Sequence, residues 1–172
     1  MAGSLEFIKS ASGTSVSALD LTDCFSADYD VYYLTSSLDI GTGAGFWQSN
    51  LLDSGGSTLT GAYYDVANLE LQANTTFLEY RGTNASFWRD LGAYQDDGKG
   101  YGLSMYIYNP FDSSSYTFVQ SSSAGMFTSD TVLMGGKGIG VYKQASTVYG
   151  IRLTNSGPAT YDYISASIFG VK

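Results

Sequence analysis

The chain has 172 residues, a net charge of −8 and no histidine. A hydrophobic content of 44% excludes a disordered tail, and the acidic balance repels phosphate backbones, which excludes nucleic acid as a partner. Charged residues make up only 14%, against about 25% in an average domain, so Ser, Thr, Asn, Gly and Tyr must supply the polar surface.

The opening MAGSLEFIKSASG has neither a basic start nor an apolar stretch. No signal peptide is therefore expected, and the chain is read as made in a cytosol. No apolar run approaches the roughly 18 residues of a membrane span, and no basic cluster suggests a membrane surface. Period-two alternation predicts strands at Ser4–Ile8, Ser15–Leu21, Asp30–Leu38, Phe46–Leu52, Asn68–Ala73, Thr76–Tyr80, Gly102–Tyr108, Tyr116–Ser121, Gly138–Gln144, Val148–Thr154 and Tyr161–Val171.

Glycine-bearing turns are predicted between them, at residues 53–57, 81–84, 96–100, 135–138 and 155–158. A single helical turn is expected at 85–91, where Phe87, Trp88 and Leu91 share a spacing. The pattern is sharpest at 101–120. Leu103, Met105 and Ile107 point one way, Ser104, Tyr106 and Tyr108 the other, and Asn109-Pro110 stops the strand.

In Tyr161–Val171 the inward set is Ile164, Ala166 and Ile168, opposite Tyr163, Ser165, Ser167 and Phe169. A strand so long and regular is expected to be interior, because as an edge it would invite aggregation. The whole predicts an all-β fold: one antiparallel β-sandwich domain over residues 1–172, with about 8–11 strands. A jelly roll is the preferred topology, and other Greek-key sandwiches fit the same pattern.

Reaction chemistry is scarce. The absence of histidine removes a Ser-His-Asp triad and histidine zinc sites, and one cysteine, Cys24, allows neither an intrachain disulfide nor a multi-cysteine zinc site. Cys24 is read as a small buried hydrophobe. A glycosidase-like carboxylate pair remains formally open among Asp20, Asp23, Asp28, Asp30, Asp65, Glu70, Glu79, Asp90, Asp96 and Asp97, but no spacing pairs two across a cleft.

Asp20-x-x-Asp23, Asp28-x-Asp30 and Asp96-Asp97-Gly could offer oxygens to calcium, yet none matches an EF-hand loop. No catalytic residue, cofactor or metal ligand is assigned. GGKGIG at 135–140 is not a phosphate loop, since no helix follows it. Asn74-Thr-Thr and Asn84-Ala-Ser match the glycosylation sequon, which a Ser- and Thr-rich chain produces by chance.

Aromatics are the richer signal. Tyr32-Tyr33, Phe46-Trp47, Tyr63-Tyr64 and Phe87-Trp88 are adjacent pairs, and Tyr106 and Tyr108 alternate. Adjacent strand residues face opposite sides, so one of each pair is core and the other outward. Outward rings either fill a protein interface or stack on a sugar. Trp47, Trp88, Tyr106 and Tyr108 are the candidate interface or ligand aromatics, with Gln48 as a polar neighbour in the sugar-binding version.

Several stretches carry a resemblance. They are Ser-Leu-Glu-Phe-Ile-Lys-Ser at 4–10, Asp-Cys-Phe-Ser-Ala-Asp-Tyr-Asp-Val-Tyr-Tyr at 23–33 and Tyr-Tyr-Asp at 63–65. Ile-Tyr-Asn-Pro-Phe-Asp-Ser-Ser at 107–114, Gly-Ile-Arg-Leu-Thr-Asn-Ser-Gly at 150–157 and the ending Ile-Phe-Gly-Val-Lys at 168–172 continue it. Together they resemble small β-sandwich virion proteins of tailed bacteriophages, particularly marine and freshwater phages such as cyanophages.

The resemblance implies a non-enzymatic component on the head or tail exterior, homo-oligomeric and in contact with other virion proteins. It carries over no site residues. The alternatives are a receptor- or carbohydrate-binding module of a fibre that meets a surface glycan and, more remotely, a glycan depolymerase.

Overall fold

In a computed structural model, residues 4–41, 45–74, 77–95, 100–127, 132–156 and 160–172 are described. The strands run β1 Leu5–Gly13, β2 Ala18–Leu21, β3 Val31–Ile40, β4 Gly45–Leu52, β5 Tyr64–Gln72 and β6 Leu78–Ala85. They continue with β7 Trp88–Gln95, β8 Tyr101–Tyr108, β9 Thr117–Phe127, β10 Val132–Tyr142, β11 Gly150–Asn155 and β12 Tyr161–Val171. There is no helix among the described residues. The all-β expectation is met by two antiparallel sheets, one of eight strands in the order β1-β12-β3-β8-β9-β10-β5-β6 and one of four, β2-β11-β4-β7. An eight-stranded jelly roll divides into two smaller sheets. Here the β9–β10 hairpin lies between β8 and β5 and widens one sheet to eight strands.

Alternation decides which face is buried. In β8, Leu103, Met105 and Ile107 are buried while Tyr106 stands exposed. In β12, Ile164, Ala166 and Ile168 are buried, and the strand is interior, flanked by β1 and β3. These rows meet Leu19 and Leu21 of β2, Ile151 and Leu153 of β11, and Trp47 and Leu51 of β4, forming one core cluster between the sheets. Burying rows of this kind is the main stabilising term, at roughly 1.5–3 kcal/mol per large side chain.

Three sequence expectations are corrected. Residues 135–138 are not a turn: they lie inside β10, with Gly136, Gly138 and Gly140 on the buried face and Lys137 and Ile139 on the open one. Glycine is used there for close approach. A Cβ at Gly140 would sit 2.7 Å from Nε1 of Trp88, and one at Gly138 would sit 3.3 Å from Cα of Leu91, so β7 lies directly on β10. Residues 81–84 are likewise strand, within β6. The expected helical turn at 85–91 is replaced by the start of β7, because Trp88 pairs with Ser49 in the small sheet.

The turn at 53–57 forms as read. Asp53 Oδ1 accepts the backbone N–H groups of Gly55 (2.9 Å) and Ser57 (2.8 Å), and Gly56 takes a φ of 75°. Asn109 ends β8 at a φ of 55° and donates its backbone N–H to Asp30 O at 2.7 Å. The turn expected at 96–100 and the end of that at 155–158 lie outside the described residues.

Candidate docking face

The small sheet packs on one face of the large sheet, and among the described residues the opposite face is open. Cross-strand register lines the outward residues up in rows that sequence distance conceals. One row crosses all eight strands: Phe7 opposite Phe169, then Tyr33, Tyr106, Gln120, Ile139, Ala67 and Arg81. Phe7 is 58% exposed, Tyr106 41% and Ile139 61%. The rings touch along the row. Phe7 and Phe169 meet edge to face at 5.8 Å between centroids, and Tyr33 and Tyr106 lie 4.8 Å apart.

Neighbouring rows change in character. On one side Val31, Tyr108, Phe118 and Val141 extend the apolar zone. On the other, Ser10, Ser167, Thr35, Ser104 and Ser122 form a hydroxyl row that ends in Lys137, Leu69 and Glu79. Beyond it, Ser12, Ser165, Ser37, Gly102, Ala124 and Gly135 make a row of small residues. This face therefore carries a band of exposed rings and aliphatics beside a flat band of hydroxyls and small side chains.

Tyr106 and Tyr108, two of the four candidate aromatics, sit on this face with ring planes 24° apart and centroids at 6.4 Å. Tyr108 donates its hydroxyl to Gln120 Oε1 at 3.5 Å. Trp47 and Trp88 do not join them. Both are fully buried between the sheets, so neither offers a surface to a partner or a sugar. Trp88 donates its indole N–H to Val141 O at 3.2 Å and meets Tyr64 edge to face at 5.1 Å. Gln48 is half-buried on the far side of the small sheet. The sugar site imagined from Trp47, Gln48, Trp88 and Tyr106 is not assembled.

Three of the candidate carboxylates, Asp20, Asp28 and Asp65, are engaged at separate places in the fold. Asp20 takes a bidentate contact from Arg152, with Nε to Oδ1 at 2.7 Å and Nη2 to Oδ2 at 2.6 Å. Asp65 pairs with Lys143 at 2.9 Å and accepts the Asn84 backbone N–H at 2.8 Å; the Lys143 hydrogen bond, seconded by Asn84, holds its carboxyl below the usual range. Asp28 accepts the Ser26 hydroxyl at 2.9 Å. No three Asp, Glu or Cys side chains converge as metal ligands among the described residues. Asp96 and Asp97 lie outside those residues.

Cys24 is buried, its Sγ 3.3 Å from Leu21 O, and burial pushes its thiol up to about 12. A thiol so disfavoured as thiolate is a poor nucleophile.

The signal that sequence reading missed is Phe7, Phe118 and Ile139, together with their line-up beside Phe169, which it placed outward. They look like ordinary strand residues until register brings them beside Tyr33 and Tyr106.

No family model matches the chain, and no curated protein does. Similarity to solved structures is weak. The catalytic domain of PdAgaC aligns at 8% identity and a TM-score of 0.23, over 84% of this chain and 63% of that one. The CspB protease of Clostridium perfringens aligns at 9% and 0.25, over 92% of this chain but 25% of the protease. The polysaccharide lyase family 18 protein aly-SJ02 aligns at 7% and 0.18, over 94% of each. The chain thus spans less than two thirds of the first two.

Proposed function

We propose that this chain is a non-enzymatic structural protein of a bacteriophage particle, exposed on head or tail, that works by docking through the open face of its large sheet. The observation that supports it is the eight-strand row from Phe7 to Arg81, in which Phe7, Phe169, Tyr33, Tyr106 and Ile139 turn rings and an aliphatic side chain outward on the open face. Exposed apolar area of that extent on a soluble protein marks an interaction surface. Aromatic enrichment with few charges is the composition of an interface centre. The phage assignment rests on the sequence resemblance alone. The non-enzymatic part rests on the absence of histidine and on carboxylates already engaged by Arg152 and Lys143.

The test is proteomics and cryo-electron microscopy of purified particles encoded with this chain. Its peptides are expected in the particles, with its density in contact through the β3–β8–β9 face. Complete absence from purified particles, or density with that face bare to solvent, overturns the reading.

A second reading, recognition of a surface glycan, is favoured by one observation. Tyr106 and Tyr108 lie nearly parallel beside the Gln120 amide, and rings with an adjacent amide suit a sugar. A glycan array would show binding that Tyr106→Ala abolishes if this reading holds.

A further inference from the structure

The docking face is divided into two unlike halves, and the division identifies what covers it. On β1, β12, β3 and β8 the central row carries four rings: Phe7, Phe169, Tyr33 and Tyr106. On β9, β10, β5 and β6 the same row carries Gln120, Ile139, Ala67 and Arg81. Three grooves, of about 310 to 720 Å³, open on this second half. Their linings include Phe118, Ile139, Leu69 and Leu71. One half presents rings and the other presents hollows, along a common row.

We infer that the face is covered by a second copy of this chain, stacked sheet on sheet about a two-fold axis parallel to the strands. An isologous contact requires a surface complementary to itself. This axis lays β1 over β6 of the other copy, β12 over β5, β3 over β10 and β8 over β9, and keeps the central row in line with itself. Phe7 then meets Arg81 of the other copy in a cation–π contact, made twice by symmetry. Phe169 meets Ala67, Tyr33 meets Ile139 and Tyr106 meets Gln120, so each large ring faces a smaller side chain or a groove.

Area and charge agree. Eight strands at about 4.8 Å spacing and eight residues at about 3.4 Å give a footprint on the order of 900 Å² per copy. A stable interface needs about 800 Å² per partner. Asp65 is paired with Lys143, which leaves Lys137 and Arg81 against Asp39 and Glu79 on the outward strand positions, in a chain of −8. Most of the charge by which two copies repel lies off this face, so face-to-face contact is the approach least opposed.

This inference rests on the docking reading and names the partner. Sedimentation equilibrium of the intact chain should show a dimer, and Tyr106→Asp and Ile139→Asp should each weaken it by about tenfold or more, with unchanged circular dichroism and melting. Those side chains are exposed, so folding is not at stake. The double variant Phe7→Cys/Arg81→Cys fixes the register. Its two positions lie at opposite edges of the sheet, roughly 34 Å apart within one chain, but about 10 Å apart across two stacked sheets, too far for a disulfide and within reach of a short bis-maleimide. A cross-linked dimer on a denaturing gel is expected for the double variant with that reagent, and monomer for each single variant.

A chain that stays monomeric at all concentrations overturns the inference, as does a dimer indifferent to Tyr106→Asp. Incorporation of the Tyr106→Asp chain into particles then separates the two ideas. Lost incorporation of a monomeric chain leaves the docking reading intact with another virion protein as partner, whereas normal incorporation removes both. A monomer whose tyrosine fluorescence responds to a glycan gives the face to carbohydrate and overturns the second copy.

Discussion

Gly140 lies against the indole of Trp88, where β10 of the large sheet meets β7 of the small one. A Cβ on Gly140 would lie 2.7 Å from Nε1 and 2.9 Å from Cδ1 of the indole. The ring has no room to retreat, because it is fully buried, stacks edge-on to Tyr64 and is tied to Val141 O. Gly140→Ala should therefore destabilise by about 1–3 kcal/mol, the cost of overpacking, despite alanine's lower backbone entropy cost. Urea unfolding checks this. A midpoint equal to wild type would mean that the sheets can separate freely at β7.

Tyr64 holds a second junction. Its hydroxyl receives the Leu51 backbone N–H at 3.2 Å and donates to Leu59 O at 2.7 Å, deep in the core. Tyr64→Phe preserves the ring but leaves both backbone groups short of a partner. A loss of about 1–3 kcal/mol is expected in thermal or chemical unfolding, and the loop at 53–60 should show faster amide exchange.

The Asp20–Arg152 pair joins β2 to β11 on the outside of the small sheet, with Arg152 Nη1 also donating to Thr58 Oγ1 at 2.9 Å. Both side chains are about a third exposed, so solvent screens the pair. Asp20→Asn should cost no more than about 1 kcal/mol, and the difference from wild type should shrink at high salt. A salt-independent loss would point to packing instead of charge.

Stability should fall at alkaline pH. Burial raises the Cys24 thiol to about 12 and also raises the hydroxyls of Tyr32, Tyr64, Tyr142 and Tyr161. The unfolded chain releases these protons at about 8.5 for Cys and about 10 for Tyr, while the folded chain keeps them. The unfolded state therefore binds fewer protons, and the contribution of these groups, complete below about pH 8.5, falls as pH rises toward about 12. The chain has no histidine, the side chain whose ordinary pKa lies between about pH 6 and about pH 8, and melting temperature should be level there. A peak of stability inside that window would contradict the assignment.

Period-two alternation was legible wherever one side of a strand was clearly apolar. It placed the buried rows of β8 and β12 correctly, because a strand's two faces are dictated by its own residues. It failed at 135–138. Gly138 and Gly140 serve a close contact with the other sheet there, and from sequence that glycine-rich pattern cannot be told from a turn. It also could not assign Trp47 and Trp88 to a side. In Phe46-Trp47 one ring must face inward, but which one depends on where the other sheet lies.

Local physics in the sequence thus determined a histidine-free, low-charge, all-β chain with tyrosines on an outward row. Only the tertiary structure decided that Phe7, Tyr33, Tyr106, Ile139 and Arg81 share a line. Strand order and register are set by long-range pairing, in which a one-residue slip would send every side chain to the opposite face. That information resides in no single segment of the chain, and the docking face is made from it.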